Sequence, residues 1–284
     1  MFPMTDALLL SAAELRRRLG PDTVVIDCRF SLADPRLGYR QYREGHVPGA
    51  HYFSLDMDMS GPVAPHGGRH PLPDTKDFVA KLRATGVNND SLVVAYDDSG
   101  LAFAARLWWL LRYCGHTRVA LLQGGFSAWS NAGYPRDRRT PDSDNGTFDP
   151  RLQLDWVVDV EQVQRLVKRG SAVLIDSREA HRYRGEEEPV DPVAGHIPGA
   201  LNFPWQDAID GGGCALPAAG QQARWQALPD DRNLVVYCGS GVTACVNLLS
   251  LHMAGKQARL YPGSWSDWCS YPQLPVATQV SQPG

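Results

Sequence analysis

No apolar run in this 284-residue chain is long enough to span a bilayer, so a membrane-spanning helix is excluded. There is no basic surplus either. Lys and Arg number 28 against 31 Asp and Glu, a net charge of −3, which argues against nucleic acid and anionic membranes as partners. The six cysteines (Cys28, Cys114, Cys214, Cys238, Cys245, Cys269) form no Cys-x-x-Cys pair and no Cys/His cluster at zinc spacing. A structural metal site is therefore not expected, and a disulfide framework does not suit a chain of this size. The apolar stretch Ala7-Leu8-Leu9-Leu10 is too short for a secretory core. Asp6 precedes it and Arg16, Arg17 and Arg18 follow it, the reverse of a secretory layout. A cytoplasmic protein is expected.

What the chain does have is repetition. Val24-Val25-Ile26-Asp27-Cys28-Arg29 is answered by Val173-Leu174-Ile175-Asp176-Ser177-Arg178. Gly45-His46-Val47-Pro48-Gly49-Ala50 is answered by Gly195-His196-Ile197-Pro198-Gly199-Ala200. Leu92-Val93-Val94-Ala95-Tyr96 matches Leu234-Val235-Val236-Tyr237 with one slip, and Gly124-Gly125-Phe126-Ser127-Ala128-Trp129 matches Gly263-Ser264-Trp265-Ser266-Asp267-Trp268. A period near half the chain means a duplicated domain. The expected layout is a first domain over 1–134, a linker over 135–154 and a second domain over 155–284. The linker and the tail after Gln273 are polar and proline-rich, and the tail is expected to be loosely held. Each copy alternates β-branched runs with helical stretches, which predicts an α/β fold of mostly parallel sheets with helices on both faces. Ser11-Ala12-Ala13-Glu14 reads as a capping box opening a helix to Leu19. Its counterpart is expected over Trp156 to Lys168, and further helices over Phe103 to Tyr113 and Ala244 to Ala254.

The stretch with most chemistry is Tyr237-Cys238-Gly239-Ser240-Gly241-Val242-Thr243. It places a cysteine at the end of a strand, on a Gly-rich loop that opens a helix. Loop amides and the positive end of the helix both favour negative charge there, the setting of a nucleophilic thiolate. The duplication supplies a control. The two Gly-His turns and the two Asp-x-Arg pairs occur in both copies and read as supports of the fold. The cysteine occurs in one copy only, and Asp97 stands in its place in the other. The first copy is therefore read as catalytically degenerate.

Taken together, these motifs resemble the tandem-domain rhodanese family of sulfurtransferases, over about Thr5 to Leu274. The Cys238 loop is most similar to that of the 3-mercaptopyruvate branch. Animal-type thiosulfate enzymes usually carry two basic residues where Gly239 and Ser240 stand. The resemblance implies two rhodanese-like domains and a two-step transfer. The Cys238 thiolate takes a sulfur from a small-molecule donor as a persulfide, then passes it to a thiol such as thioredoxin or glutathione, or to cyanide. No cofactor is implied. The amides of Gly239, Ser240, Gly241, Val242 and Thr243 would steady thiolate and persulfide. Arg182 would hold the donor carboxylate. A second arginine is usual just before the Gly-His turn, but this chain has Glu186-Glu187-Glu188-Pro189-Val190-Asp191 there, leaving Arg184 as a candidate. By position, Ser240, His70 and Asp56 would form a serine-protease-like trio.

The same residues carry three rival readings. Thiosulfate could be the donor. A cysteine phosphatase would need an arginine six residues beyond the cysteine, where Ala244 stands. A non-catalytic binding module would have no use for Cys238. Cys245 reads as helix packing, and Trp108, Trp109, Trp265 and Trp268 as core.

Overall fold

In the computed structural model, which describes residues 8–142, 144–229 and 233–278, the chain splits into two compact units. Residues 1–7 and the end of the expected second domain, 279–284, lie outside the described residues. The first unit takes most of the first half. However, residues 62–72 cluster with the second unit, and 211–215 cluster with the first.

The first unit is built on five parallel strands: β1 (Leu9–Leu10), β2 (Thr23–Asp27), β3 (His51–Tyr52), β4 (Leu92–Tyr96) and β5 (Val119–Leu122). They are ordered β1-β5-β4-β2-β3. Its helices are α1 (Ala12–Arg18), α2 (Leu37–Glu44), α3 (Leu55–Asp58), α4 (Thr75–Ala84), α5 (Ala104–Tyr113) and α6 (Gly125–Asn131). The second unit has β6 (Ala172–Asp176), β7 (Leu201–Asn202), β8 (Asn233–Tyr237) and β9 (Arg259–Leu260), all parallel and ordered β7-β6-β8-β9. Around it lie α7 (Val160–Arg169), α8 (Ala180–Tyr183), α9 (Ala218–Trp225), α10 (Ala244–Met253) and α11 (Ser264–Trp268). The counterpart of β1 shrinks to one parallel bridge between Val157 and Leu260.

The β-branched runs become central strands because both faces of a parallel sheet are covered by helices. All of β4 is buried, and β8 is buried from Leu234 to Tyr237. The capping box at Ser11 forms as expected, with Ser11 Oγ accepting from the Glu14 amide and Glu14 reaching back to the Ser11 amide at 2.8 Å. The helix expected from Trp156 instead begins at Val160. Asp159 and Gln162 make a second capping box, and Leu154–Trp156 is a separate 3₁₀ turn.

The repeated polar motifs hold the two units in the same way. Asp27–Arg29 and Asp176–Arg178 are buried ion pairs at 2.5 and 2.7 Å. Removing one partner of such a pair costs about 3–5 kcal/mol, because it strands a buried charge. His46 donates from Nδ1 to the Tyr42 carbonyl at 2.8 Å, and His196 to the Tyr183 carbonyl at 2.7 Å. Each ring also stacks on its own tyrosine.

The tail is not loosely held over its described part. Ala277 and His196 exchange backbone hydrogen bonds at 2.8 and 3.0 Å, and Trp268 Nε1 donates to the Pro275 carbonyl at 3.0 Å. The first residues after copy one behave alike. Asp137 pairs with His46, and Trp129 Nε1 donates to Pro135. Proline and polarity suggested loose ends, but each repeat needs this strap to close off its Gly-His turn.

In the first unit, Asp97 occupies the loop that follows β4. Its carboxylate accepts from the amides of Ser99, Leu101, Phe103 and Ala104 at 2.8–3.1 Å. Burial pushes this carboxyl up, while the four amides pull it down. The loop is thus an anion cradle filled by its own side chain. Asp97→Ala is expected to destabilise the protein by about 2–4 kcal/mol, since it leaves buried amides without acceptors. A urea-unfolding midpoint unchanged from wild type would refute that reading.

Candidate active site

In the second unit, β8 ends at Tyr237 and the chain enters the Cys238 loop. Gly241 has φ +73°, matching Gly100 at φ +66° in the first unit. A side chain at Gly241 would meet the Pro262 carbonyl at 2.4 Å, so glycine is required there. Cys238 is buried, with 2% of its surface exposed, and so is Ser240. Thr243 precedes the first residue of α10, so Gly239 to Thr243 form a loop running into a helix N-terminus.

Helix α11 pins this loop. The Cys238 amide donates to Ser264 Oγ at 3.1 Å, and the Trp265 and Ser266 amides donate to the Cys238 and Gly239 carbonyls at 3.0 and 2.9 Å. Ser264 has φ +56°, in a region where a non-glycine residue is strained. Its counterpart in the first copy is Gly125 at φ +59°. The second copy therefore keeps a strained serine whose hydroxyl fixes the backbone of the cysteine.

Segment 62–72 completes the site. The Gly67 amide donates to Asp267 Oδ1 at 2.7 Å, and the Arg69 amide to Ser266 Oγ at 3.1 Å. His66 stacks on Tyr271. Gly68 has φ +85°, and a Cβ there would meet the Gly263 carbonyl at 2.4 Å. This docking delivers His70, which is buried, with Nδ1 2.7 Å from Ser240 Oγ.

Around the loop lies a network of charges. Arg182, from α8, pairs with Glu188 at 2.6 Å and lies 3.5 Å from Asp191 Oδ2. Glu188 also pairs with Arg178 at 3.1 Å and accepts from the Val190 and Asp191 amides. Burial would raise the Glu188 carboxyl, but these donors hold it below the usual range. Burial raises Asp191, against the pull of Arg69, with which it forms an ion pair. The ideal Cβ position on Gly239 is 3.1 Å from Arg69 Nη2, and 3.8 and 3.9 Å from the two Arg182 terminal nitrogens. Two guanidiniums therefore flank the residue next to Cys238.

Of the residues expected from sequence, Cys238, Ser240, His70 and Arg182 share this neighbourhood. Arg184 closes α8 and is paired with Glu186 at 2.6 Å, in an exposed position. Asp56 lies exposed on α3 in the first unit. Nearby Asp58 is committed to the Ser54 amide and Lys81. Arg69 was not anticipated. The visible clue was a basic residue beside His70, but its placement depends on the docked glycine pair that precedes it. Cys245 is fully buried in α10, as packing required.

A parallel α/β domain is present twice, with a cysteine where the other copy has the cradle-filling carboxylate, and this architecture is found among known enzymes. The Rhodanese-like domain matches residues 11–132 and 159–271. A Pseudomonas aeruginosa protein named "Probable 3-mercaptopyruvate sulfurtransferase" is 46% identical over 97% of this chain and 99% of its own length. The Mus musculus thiosulfate sulfurtransferase is 33% identical over 93% of this chain and 90% of its own. The crystal structure of SseA from Escherichia coli superposes with a TM-score of 0.81 at 31% identity, covering 92% of this chain and 99% of that one. The chain belongs to the rhodanese family, and it is a sulfurtransferase.

Proposed function

We propose that the chain moves sulfur from 3-mercaptopyruvate through a persulfide on Cys238 to a thiol acceptor. In the first step the Cys238 thiolate attacks the donor sulfur and the donor carbon–sulfur bond breaks. Its electron pair leaves on carbon as the enolate of pyruvate, which is then protonated. In the second step an acceptor thiolate, or cyanide in the test tube, takes the outer sulfur and restores the Cys238 thiolate. Loop amides from Gly239 to Thr243 stabilise the sulfur anion, and the first-unit counterparts of two of them, the Ser99 and Leu101 amides, hold the Asp97 carboxylate. Arg182 grips the donor carboxylate.

The observation that carries the donor assignment is the buried 2.7 Å hydrogen bond between His70 and Ser240. With Nδ1 donating to Ser240 Oγ, the hydroxyl proton is left for the keto oxygen of the donor, where negative charge develops. A keto acid uses that pair, whereas thiosulfate, which has no carbonyl, does not. Asp56 is carried as the expected third member of the trio and Arg184 as a reserve carboxylate ligand. Thiosulfate is the second reading: two guanidiniums stand beside Gly239, although each is paired with a carboxylate. Thioredoxin and glutathione are the acceptors proposed. A cytoplasmic setting belongs to the same proposal, because a working thiolate and five further cysteines outside any disulfide suit a reducing compartment. Among the described residues no helix is long and apolar enough to cross a membrane.

Initial rates with the two donors under one acceptor test the assignment. A kcat/KM for 3-mercaptopyruvate above that for thiosulfate by about tenfold or more is expected. A preference for thiosulfate would reverse it.

A further inference from the structure

Arg182 alone gives a donor carboxylate one guanidinium, and the run before the Gly-His turn offers acids where a second is expected. The structure assigns that second role to Arg69, arriving from segment 62–72, with Asp191 as the carboxylate that holds it until the donor displaces it. The assignment rests on the donor proposal above and deepens it.

Three observations carry it. First, position: the Arg69 guanidinium fills the space that a side chain at Gly239 would enter, 3.1 Å from that ideal Cβ. It therefore stands beside the nucleophile's neighbour, on the same side as Arg182. Second, placement: the backbone around Arg69 is fixed by Asp267 and Ser266, and by the close approach of Gly68 to Gly263. The side chain remains about one-third exposed, so its head can move while its base cannot. Third, the holding groups are unequal. Both Glu188 oxygens are engaged by arginines, and two amides reinforce them. Asp191 has only its Oδ1 on Arg69. Its buried Oδ2 has no hydrogen-bond partner among the described residues and lies 3.5 Å from Arg182. An incoming carboxylate can therefore exchange with Asp191 at Arg69 more readily than with Glu188 at Arg182.

The charges also set which donor is welcome. Arg69, Arg178 and Arg182 are opposed by Asp176, Glu188, Asp191 and, 3.8 Å from Arg182, Glu179, so the cluster has no surplus positive charge. A monocarboxylate fits by exchanging for one held carboxylate. A dianion such as thiosulfate brings a charge that no surplus guanidinium answers. Asp191 is thus specificity-determining through charge, and Arg69 through direct contact.

The test is steady-state kinetics with both donors on wild type, Arg69→Gln, Arg69→Lys and Asp191→Asn. For Arg69→Gln the KM for 3-mercaptopyruvate should rise about tenfold or more, with the saturating rate falling far less, as loss of ground-state binding requires. Arg69→Lys should fall between it and wild type, since the charge stays but the two-pronged grip is lost. Asp191→Asn should shift the donor ratio toward thiosulfate by about fivefold or more. An unchanged KM in Arg69→Gln, or an unchanged donor ratio in Asp191→Asn, overturns the assignment while leaving the donor proposal intact. Wild type that makes no persulfide from 3-mercaptopyruvate fails differently, by removing the donor proposal and this assignment with it.

Discussion

Cys238→Ser is expected to abolish sulfur transfer from either donor, by about 10⁴-fold or more, because a serine hydroxyl cannot form the persulfide. No other cysteine can take over. Cys28 and Cys114 are buried in the first unit, burial pushing Cys28 far up and Cys114 to about 12. Burial also pushes Cys269 up to about 11. Cys214 lies in segment 211–215, which belongs to the first unit and not to the Cys238 loop. Cys245 is enclosed in α10. The substitution itself is small, and the Cys238 backbone is held by Ser264 and Trp265 rather than by its sulfur. The protein should therefore fold as wild type does, and lost turnover reports lost chemistry. Donor-dependent release of pyruvate or sulfite, measured on the purified variant, checks this. Residual turnover above about 1% of wild type would mean that the sulfur travels by another route.

His70→Asn is expected to separate the two donors. With 3-mercaptopyruvate the enolate leaving group needs its oxygen polarised, and a pair that moves or positions a proton contributes about 10²-fold or more. Thiosulfate releases sulfite, which is already a stable anion and needs no such help. The variant should lose about 10²-fold in kcat/KM with 3-mercaptopyruvate and change by less than about threefold with thiosulfate. Equal losses with both donors would instead make His70 a support of the loop, acting through its hydrogen bond to Ser240.

Much of this was legible from sequence because the chain is written twice. Elements repeated in both copies proved to be supports, down to the stacking of His46 on Tyr42 and His196 on Tyr183. The position where the copies differ is the cradle, holding Asp97 in one and Cys238 in the other. Two things were hidden. The start of α7 followed the capping box at Asp159 rather than the apolar pattern from Trp156, because a satisfied N-terminus outweighs a weak periodicity. The place of Arg69 depended on Gly67 and Gly68 docking against α11, a contact between residues some 200 positions apart that local spacing does not encode. The acidic run before the second Gly-His turn looked like the loss of a donor-binding arginine. In the folded unit its Glu188 and Asp191 are the partners of Arg182 and Arg69.

The central claim is that Cys238 carries the sulfur of 3-mercaptopyruvate. Intact-mass and peptide analysis after mixing the reduced protein with 3-mercaptopyruvate, without acceptor, tests it most directly. The account predicts a gain of one sulfur atom per chain, on the peptide containing Cys238, with an equal amount of pyruvate released. Pyruvate release without that gain, or a sulfur placed on another cysteine, would contradict it.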